Sequence, residues 1–267
     1  MTRHPLSFAP LAALALAVTV FAQTPAPPPV PAPAPQVPVS RPPNGPPLLS
    51  DDFESGSIKW PQIVSGAATI TVVQDRVAHG KNAVRMHYPA ATRGAWAFIG
   101  APLPDSLHDQ LYGRAYVYIT GLPPAHSVLA LAGSHGFPIA DFLEIGTQNG
   151  LFQPSFQLNA PTPERPRGET VGHQGDVPLG KWFCLEWRFT DKPDQIVMWI
   201  DGTQVVDKSF TMRAVSSELV RGFLEFDFGF RSWAQAAAIT DDIDVYYDDI
   251  AIGDKPIGPI SAAGTRE

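Results

Sequence analysis

Between Phe223 and Trp233 the chain alternates. Leu224, Phe226, Phe228 and Phe230 fall on one parity, and Glu225, Asp227, Arg231 and Trp233 on the other. A strand turns successive side chains to opposite faces, so this spacing builds a strand with one wholly apolar face. A helix would scatter the same phenylalanines around its axis. The pattern recurs. In Trp182–Phe189, Phe183, Leu185, Trp187 and Phe189 oppose Cys184, Glu186 and Arg188. In Tyr112–Ile119, Ala115, Val117 and Ile119 oppose Tyr112, Arg114, Tyr116 and Tyr118; in Asp141–Gln148, Leu143 and Ile145 oppose Glu144 and Gln148.

Ala68–Val73, Asn82–Tyr88, Ser127–Ala132, Ile196–Ile200 and Val245–Ile252 are further strand candidates, rich in β-branched and aromatic residues. Asp201-Gly202, between Trp199-Ile200 and Val205-Val206, suits the positive φ angles of a tight hairpin turn. Many short strands with no helix between them predict an all-β chain: a two-sheet β-jelly roll, a concanavalin-like sandwich.

The ends read differently. Residues 1–22 have the form of an export signal. Arg3 and His4 precede an apolar run from Leu11 to Val20, and Val20-Phe21-Ala22 offers small residues for cleavage. That run is too short to span a bilayer. The expected location is secreted, extracellular or periplasmic, with no membrane contact after cleavage. Residues 23–47 form a Pro-rich linker, whose prolines fix φ and remove donors. Residues 48–258 read as one domain and 259–267 as a polar tail, the whole a monomer. The net charge of −7 argues against nucleic acid as a partner. Cys184 is the single cysteine, which excludes an internal disulfide and suits a small packed residue.

The second faces of the strands mix Tyr, Trp, Arg, Glu and Gln. Aligned on one sheet, they would make a groove with flat rings for sugar C–H surfaces and planar polar groups for hydroxyls or carboxylates. Asp248 shares the parity of Tyr246, Ile250 and Ile252, so it is expected on a buried face. A carboxylate there needs either a hard cation such as calcium or backbone N–H donors.

The ordered motifs resemble one family. Ser50-Asp51-Asp52-Phe53-Glu54-Ser55-Gly56, Lys59-Trp60-Pro61 and Val77-Ala78-His79-Gly80-Lys81-Asn82 are similar to the opening of the fungal secreted cellulose-induced proteins. Ile145-Gly146-Thr147-Gln148, Phe183-Cys184-Leu185-Glu186, Trp199-Ile200-Asp201-Gly202, Phe228-Gly229-Phe230 and Tyr247-Asp248-Asp249-Ile250 continue the match. The resemblance implies a jelly roll similar to glucuronan and alginate lyases, polysaccharide as partner, and bound calcium. Its calcium ligands fall on Glu54, His79, Asn82 and Asp248. His79 stands for a serine in a loop one residue shorter, so only its backbone carbonyl is expected to serve. The groove positions fall on His126, Glu144, Gln148, Arg231 and Trp233. Glu144 replaces a family arginine and Arg231 a family glutamate, a charge exchange across the groove.

A lyase must neutralise a uronate carboxylate, take the C5 proton and protonate the leaving oxygen. Arg114 or Arg231, with Gln148, suits the first task; His126 or Tyr116 suits the others. His135 and His173 also stand in Gly-rich stretches. A non-catalytic carbohydrate-binding module would need the same groove without a base. A glycoside hydrolase is disfavoured: Glu225-x-Asp227 begins a paired-carboxylate strand pattern, but Gly229 and Phe230 stand where its second Glu belongs.

Overall fold

The computed structural model describes residues 44–134, 142–157, 168–170, 172, 174–191, 194–210 and 222–260. The expected leader, most of the linker, much of the tail, and Asp141, His135 and His173 lie outside the described residues.

Alternation becomes two antiparallel sheets. Sheet A runs β15 (Thr203–Ser209), β14 (Asp194–Ile200), β13 (Phe183–Asp191), β6 (Gln110–Ile119), β17 (Ile243–Gly253), β4 (Ala83–Tyr88) and β3 (Thr69–Val73), with β1 (Leu49–Asp51) beside β17. Sheet B runs β11 (Gly168–Thr170), β10 (Ser155–Gln157), β8 (Phe142–Gln148), β7 (Ser127–Gly133), β16 (Glu225–Ser232), β5 (Trp96–Pro102) and β2 (Gln62–Ser65). β9 (Leu151–Phe152) pairs with β8 and with β12 (Gln174–Asp176). Most neighbours are not consecutive in the chain, so it crosses repeatedly between sheets, as a jelly roll does. Asp201 and Gly202 both have positive φ and join β14 to β15 as a two-residue hairpin.

The core lies between the sheets. Trp187 stacks on Phe226 with ring centroids 5.3 Å apart and meets Phe228 edge-on at 5.4 Å. Gly113 faces Trp187 across β6 and β13, where any Cβ would collide with the indole. Emptying the Trp187 site should cost about 3–5 kcal/mol.

Two tyrosines of sheet A pin it to sheet B. β7 carries an extra residue at Leu129 against β8, so Leu129 and Ala130 both enter the core, and its pairing with β16 slips at the same level. Such a slip leaves carbonyls without ladder partners. The buried Tyr247 hydroxyl sits 2.8 Å from Leu129 O and 2.7 Å from Gly229 O. The Tyr88 hydroxyl donates to Phe230 O and accepts from Ala97 N at 2.8 Å.

A second bulge corrects the expected face of Asp248. Pairing of β17 with β6 shifts between Asp248 and Ala251, and Asp249 takes a positive φ of 47°. Val245, Tyr247, Ile250 and Ile252 all reach the core, so the parity inverts at the bulge. Asp248 therefore shares the outer face of sheet A with Tyr246. It is nevertheless only 1% exposed, covered by the loop before β4.

Candidate functional site: a groove on sheet B

On β8, Leu143 and Ile145 enter the core, which turns Glu144 to the outer face of sheet B. Its carboxylate is fully buried. One oxygen, Oε1, receives His126 Nε2 at 2.7 Å, Gln157 Nε2 at 3.3 Å and the Ser155 hydroxyl. Ser155 and Gln157 stand on β10, and Ser155 is Glu144's cross-strand partner. The other ring nitrogen of His126 lies 3.3 Å from Gln153 Oε1. Burial pulls the His126 pKa down. The hydrogen bond and charge of Glu144, with Gln153, outweigh that and leave it raised. His126 is thus held toward its imidazolium form.

Arg231 and Trp233 close this group. Arg231 lies opposite Trp96 on β5, its guanidinium 5.0 Å from the Trp96 ring and 4.3 Å from the Trp233 ring. Burial lowers its pKa and the Glu144 charge opposes that shift. Trp233 stacks obliquely on His126 at 5.1 Å and is 43% exposed, so a flat aromatic surface remains open beside the charged cluster. Phe98, Val128, Leu131 and Phe142, with Ile63 and Trp96, make an apolar bed on the same side of the sheet.

His126, Glu144, Arg231 and Trp233 are brought together, as the resemblance implied. Gln148 shares Glu144's parity four residues along β8 and is half-buried, at the far end of that strand. Arg114 and Tyr116 do not join them. β6 belongs to sheet A, so the expectation that all the polar faces align on one sheet is wrong for these two. Arg114 donates to Asp249 O at 2.9 Å. The Tyr116 hydroxyl accepts Ile260 N at 3.0 Å, and burial pushes its pKa up to about 12. Sequence reasoning missed Ser155, Gln157, Gln153 and Trp96, which stand on short or unread strands and their loops. Asp227 is fully buried on the outer parity of β16, two residues from Glu225.

The residues implied as calcium ligands gather on the loop between β3 and β4. Glu54 Oε1 accepts the N–H groups of Lys81 and Asn82 at 2.8 and 2.9 Å. Asp248 Oδ2 accepts those of Ala78 and His79 at 2.9 and 3.1 Å, and its Oδ1 that of Asp249 at 2.8 Å. Gly80, with a φ of +66°, lies where a Cβ would strike the Glu54 carboxylate. The His79 ring turns to Asp249 Oδ2 at 2.6 Å. Among the described residues, no three His, Cys, Asp or Glu side chains are grouped to hold a metal ion. A cation here would draw on backbone carbonyls and the Asn82 amide oxygen as well. One observation fits it: burial pushes the Asp248 pKa up to about 7 despite its N–H donors, so its charge has room for further compensation.

Cys184 is buried and its pKa is pushed by burial up to about 12, the state of a packed thiol rather than a nucleophile.

No family model matches the chain, and no curated protein matches it. Among solved structures, a cellulose induced protein, Cip1, superposes with a TM-score of 0.58 at 19% identity, over 79% of this chain and 100% of that one. An endo-β-1,4-glucuronan lyase from the fungus Trichoderma reesei superposes with a TM-score of 0.53 at 18% identity, over 73% of this chain and 91% of that one. Likeness at these identities establishes the jelly-roll fold, in agreement with the resemblance of the ordered motifs.

Proposed function

We propose that this chain is an exported polysaccharide-handling jelly roll whose sheet-B groove takes a uronate-containing chain. One observation carries the reading: an imidazole and a guanidinium stand beside an exposed tryptophan ring. With His126 protonated, the imidazolium and the Arg231 guanidinium suit a carboxylate on a bound sugar, while Trp233 offers a ring for its C–H face. The glucuronan lyase among the similar structures supports a uronate as that sugar. Affinity for glucuronan oligomers should therefore fall as pH rises through the raised His126 pKa. Titration calorimetry across that range tests it; affinity that stays flat or rises would sink the imidazolium's part in binding.

The groove can also be read as eliminating. Arg231 would neutralise the uronate carboxylate. Neutral His126 would take the C5 proton as C4=C5 forms and the C4–O bond breaks, then return the proton to the leaving oxygen. This route needs the unprotonated ring, so turnover should appear on the alkaline side, and His126→Ala should abolish it while sparing binding. The rival reading, binding without turnover, draws on the placement of Tyr116 on the other sheet, which leaves His126 as the groove's proton-transfer residue among those expected. Incubation with glucuronan and alginate, followed by the ultraviolet absorbance of an unsaturated uronate, separates the two.

Calcium belongs to the same proposal. Glu54, Asn82, Asp248 and the His79 carbonyl would hold it, clamping the start of the domain to β17. A ligand bound only by the folded state raises its stability. Chelation should lower the melting temperature of the metal-loaded chain, and Asp248→Ala should remove the chelator's effect.

A further inference from the structure

The outer face of sheet A is divided. On one half, the segment after β17 lies across the strands. Gly258 N donates to Glu186 Oε1 at 2.9 Å, Ile260 N to the Tyr116 hydroxyl at 3.0 Å, and Arg114 to Gly258 O at 3.4 Å. Cys184 and Glu186 are sealed beneath it. The other half is covered only in part: Tyr246 is 4% exposed beneath the Arg76 side chain, while the rings beside it reach solvent. Tyr118 faces Tyr246, Tyr246 faces Arg85, and Arg85 faces Thr71, so one cross-strand row spans β6, β17, β4 and β3. Trp182 extends the row toward β13, its ring 5.8 Å from that of Tyr118. Trp182 and Tyr118 keep part of their surface in solvent, and Thr69 and Thr71 are exposed. The Arg76 guanidinium lies over Tyr118 at 4.1 Å and Tyr246 at 5.0 Å.

The charges on this row are already matched. Arg85 is bidentate on Asp244 at 2.8 and 2.9 Å, and His87 Nδ1 meets the same carboxylate at 2.8 Å. Arg76 is held on the rings and sits next to Asp75 in the chain. Two guanidinium groups and two carboxylates, those of Asp244 and Asp75, leave the row no net charge to attract a carboxylate. What remains open is the Trp182 and Tyr118 rings, the threonine hydroxyls and a paired ionic group, the chemistry that recognises uncharged sugar. Its steps follow the strand spacing, about 4.8 Å, close to the advance of one pyranose along an extended chain.

We propose that this row is a second carbohydrate site, for an uncharged hexose polymer lying across the strands of sheet A. It is independent of the groove: Trp182 stacks under a sugar, and Thr71, Asp244 and Arg76 meet hydroxyls. The test measures binding of the full chain to cellohexaose and mannohexaose as uncharged probes and to glucuronan oligomers as the acidic one. Wild type should bind at least one uncharged probe. Trp182→Ala should weaken that binding about tenfold, Trp182→Phe should restore most of it, and Trp233→Ala should leave it unchanged. Thr71→Arg, at an exposed strand position, blocks the row without touching the core and should weaken the same binding should Trp182→Ala fail to fold. The proposal is overturned if neither uncharged probe binds wild type, or if their binding follows Trp233 and ignores Trp182 and Thr71. Loss of glucuronan binding alone would sink the groove reading and leave this one standing.

Discussion

The two outer faces of this sandwich start from the same code and end in different chemistry. On sheet B, the polar parity of β8 and β16 gathers a carboxylate, an imidazole and a guanidinium beside an exposed tryptophan. On sheet A, the polar parity of β6, β13 and β17 gives a half sealed by the chain's own segment and a half of paired charges and rings. Alternation decides that a side chain faces outward. What lies over it, and whether its charge is matched, is decided by topology.

Removing the covering segment should break the contrast most strongly. A chain ending at Gly253 loses the bonds from Gly258 and Ile260 and the Gly45–Pro256 contact of 2.8 Å. A loss of about 3 kcal/mol is expected, read in a urea titration. Cys184 should pass from inert to readily alkylated in the native state, while glucuronan binding stays as it was. Protection of Cys184 in the shortened chain would show that something else covers that half.

A smaller effect sharpens the other face. Glu144→Gln removes the carboxylate that raises the His126 pKa. A raised folded-state pKa contributes stability that is fully present below the unfolded value, about 6.5, and lost as pH rises through the folded one. The variant should therefore lose about 1–2 kcal/mol at pH 6 and show a smaller deficit at pH 9. An equal deficit at both would mean that His126 is not charged by Glu144. Smallest in stability is Trp233→Ala. With its ring largely outside the core it should cost under about 0.5 kcal/mol, yet weaken glucuronan binding about tenfold.

Most strands were legible in the sequence because their period is two and their apolar face is continuous. Phe226, Phe228 and Phe230, or Phe183, Leu185, Trp187 and Phe189, allow no other placement. The partnering of strands was not legible. Nothing in Tyr112–Ile119 says that it pairs with β13 and β17 rather than with β8, so Arg114 and Tyr116 were expected in a groove they do not line. The bulges were equally silent. Asp249 tolerates a positive φ without a glycine to mark it, so the parity of Asp248 was read one step off. Burial of its carboxylate was still foreseen, with backbone N–H groups among its two possible partners. The site itself was half legible: His126, Glu144, Arg231 and Trp233 came from the ordered likeness. Ser155, Gln157 and Trp96 had no signal, because short strands with mixed residues show no period.

Tyr247 and Asp248 are adjacent on one strand and face opposite ways. The first grips the Leu129 and Gly229 carbonyls under the groove, and the second grips the Ala78–His79 loop. One peptide unit thus joins two grips on opposite sides of the sandwich. Tightening the loop narrows the positions open to Tyr247, and fixing the sheet-B backbone narrows those open to Asp248. Such an influence is reciprocal by thermodynamic necessity. A cation held at the Ala78–His79 loop should be felt as an altered affinity in the groove, and Tyr247→Phe, which releases one grip while keeping the ring in the core, should disconnect them.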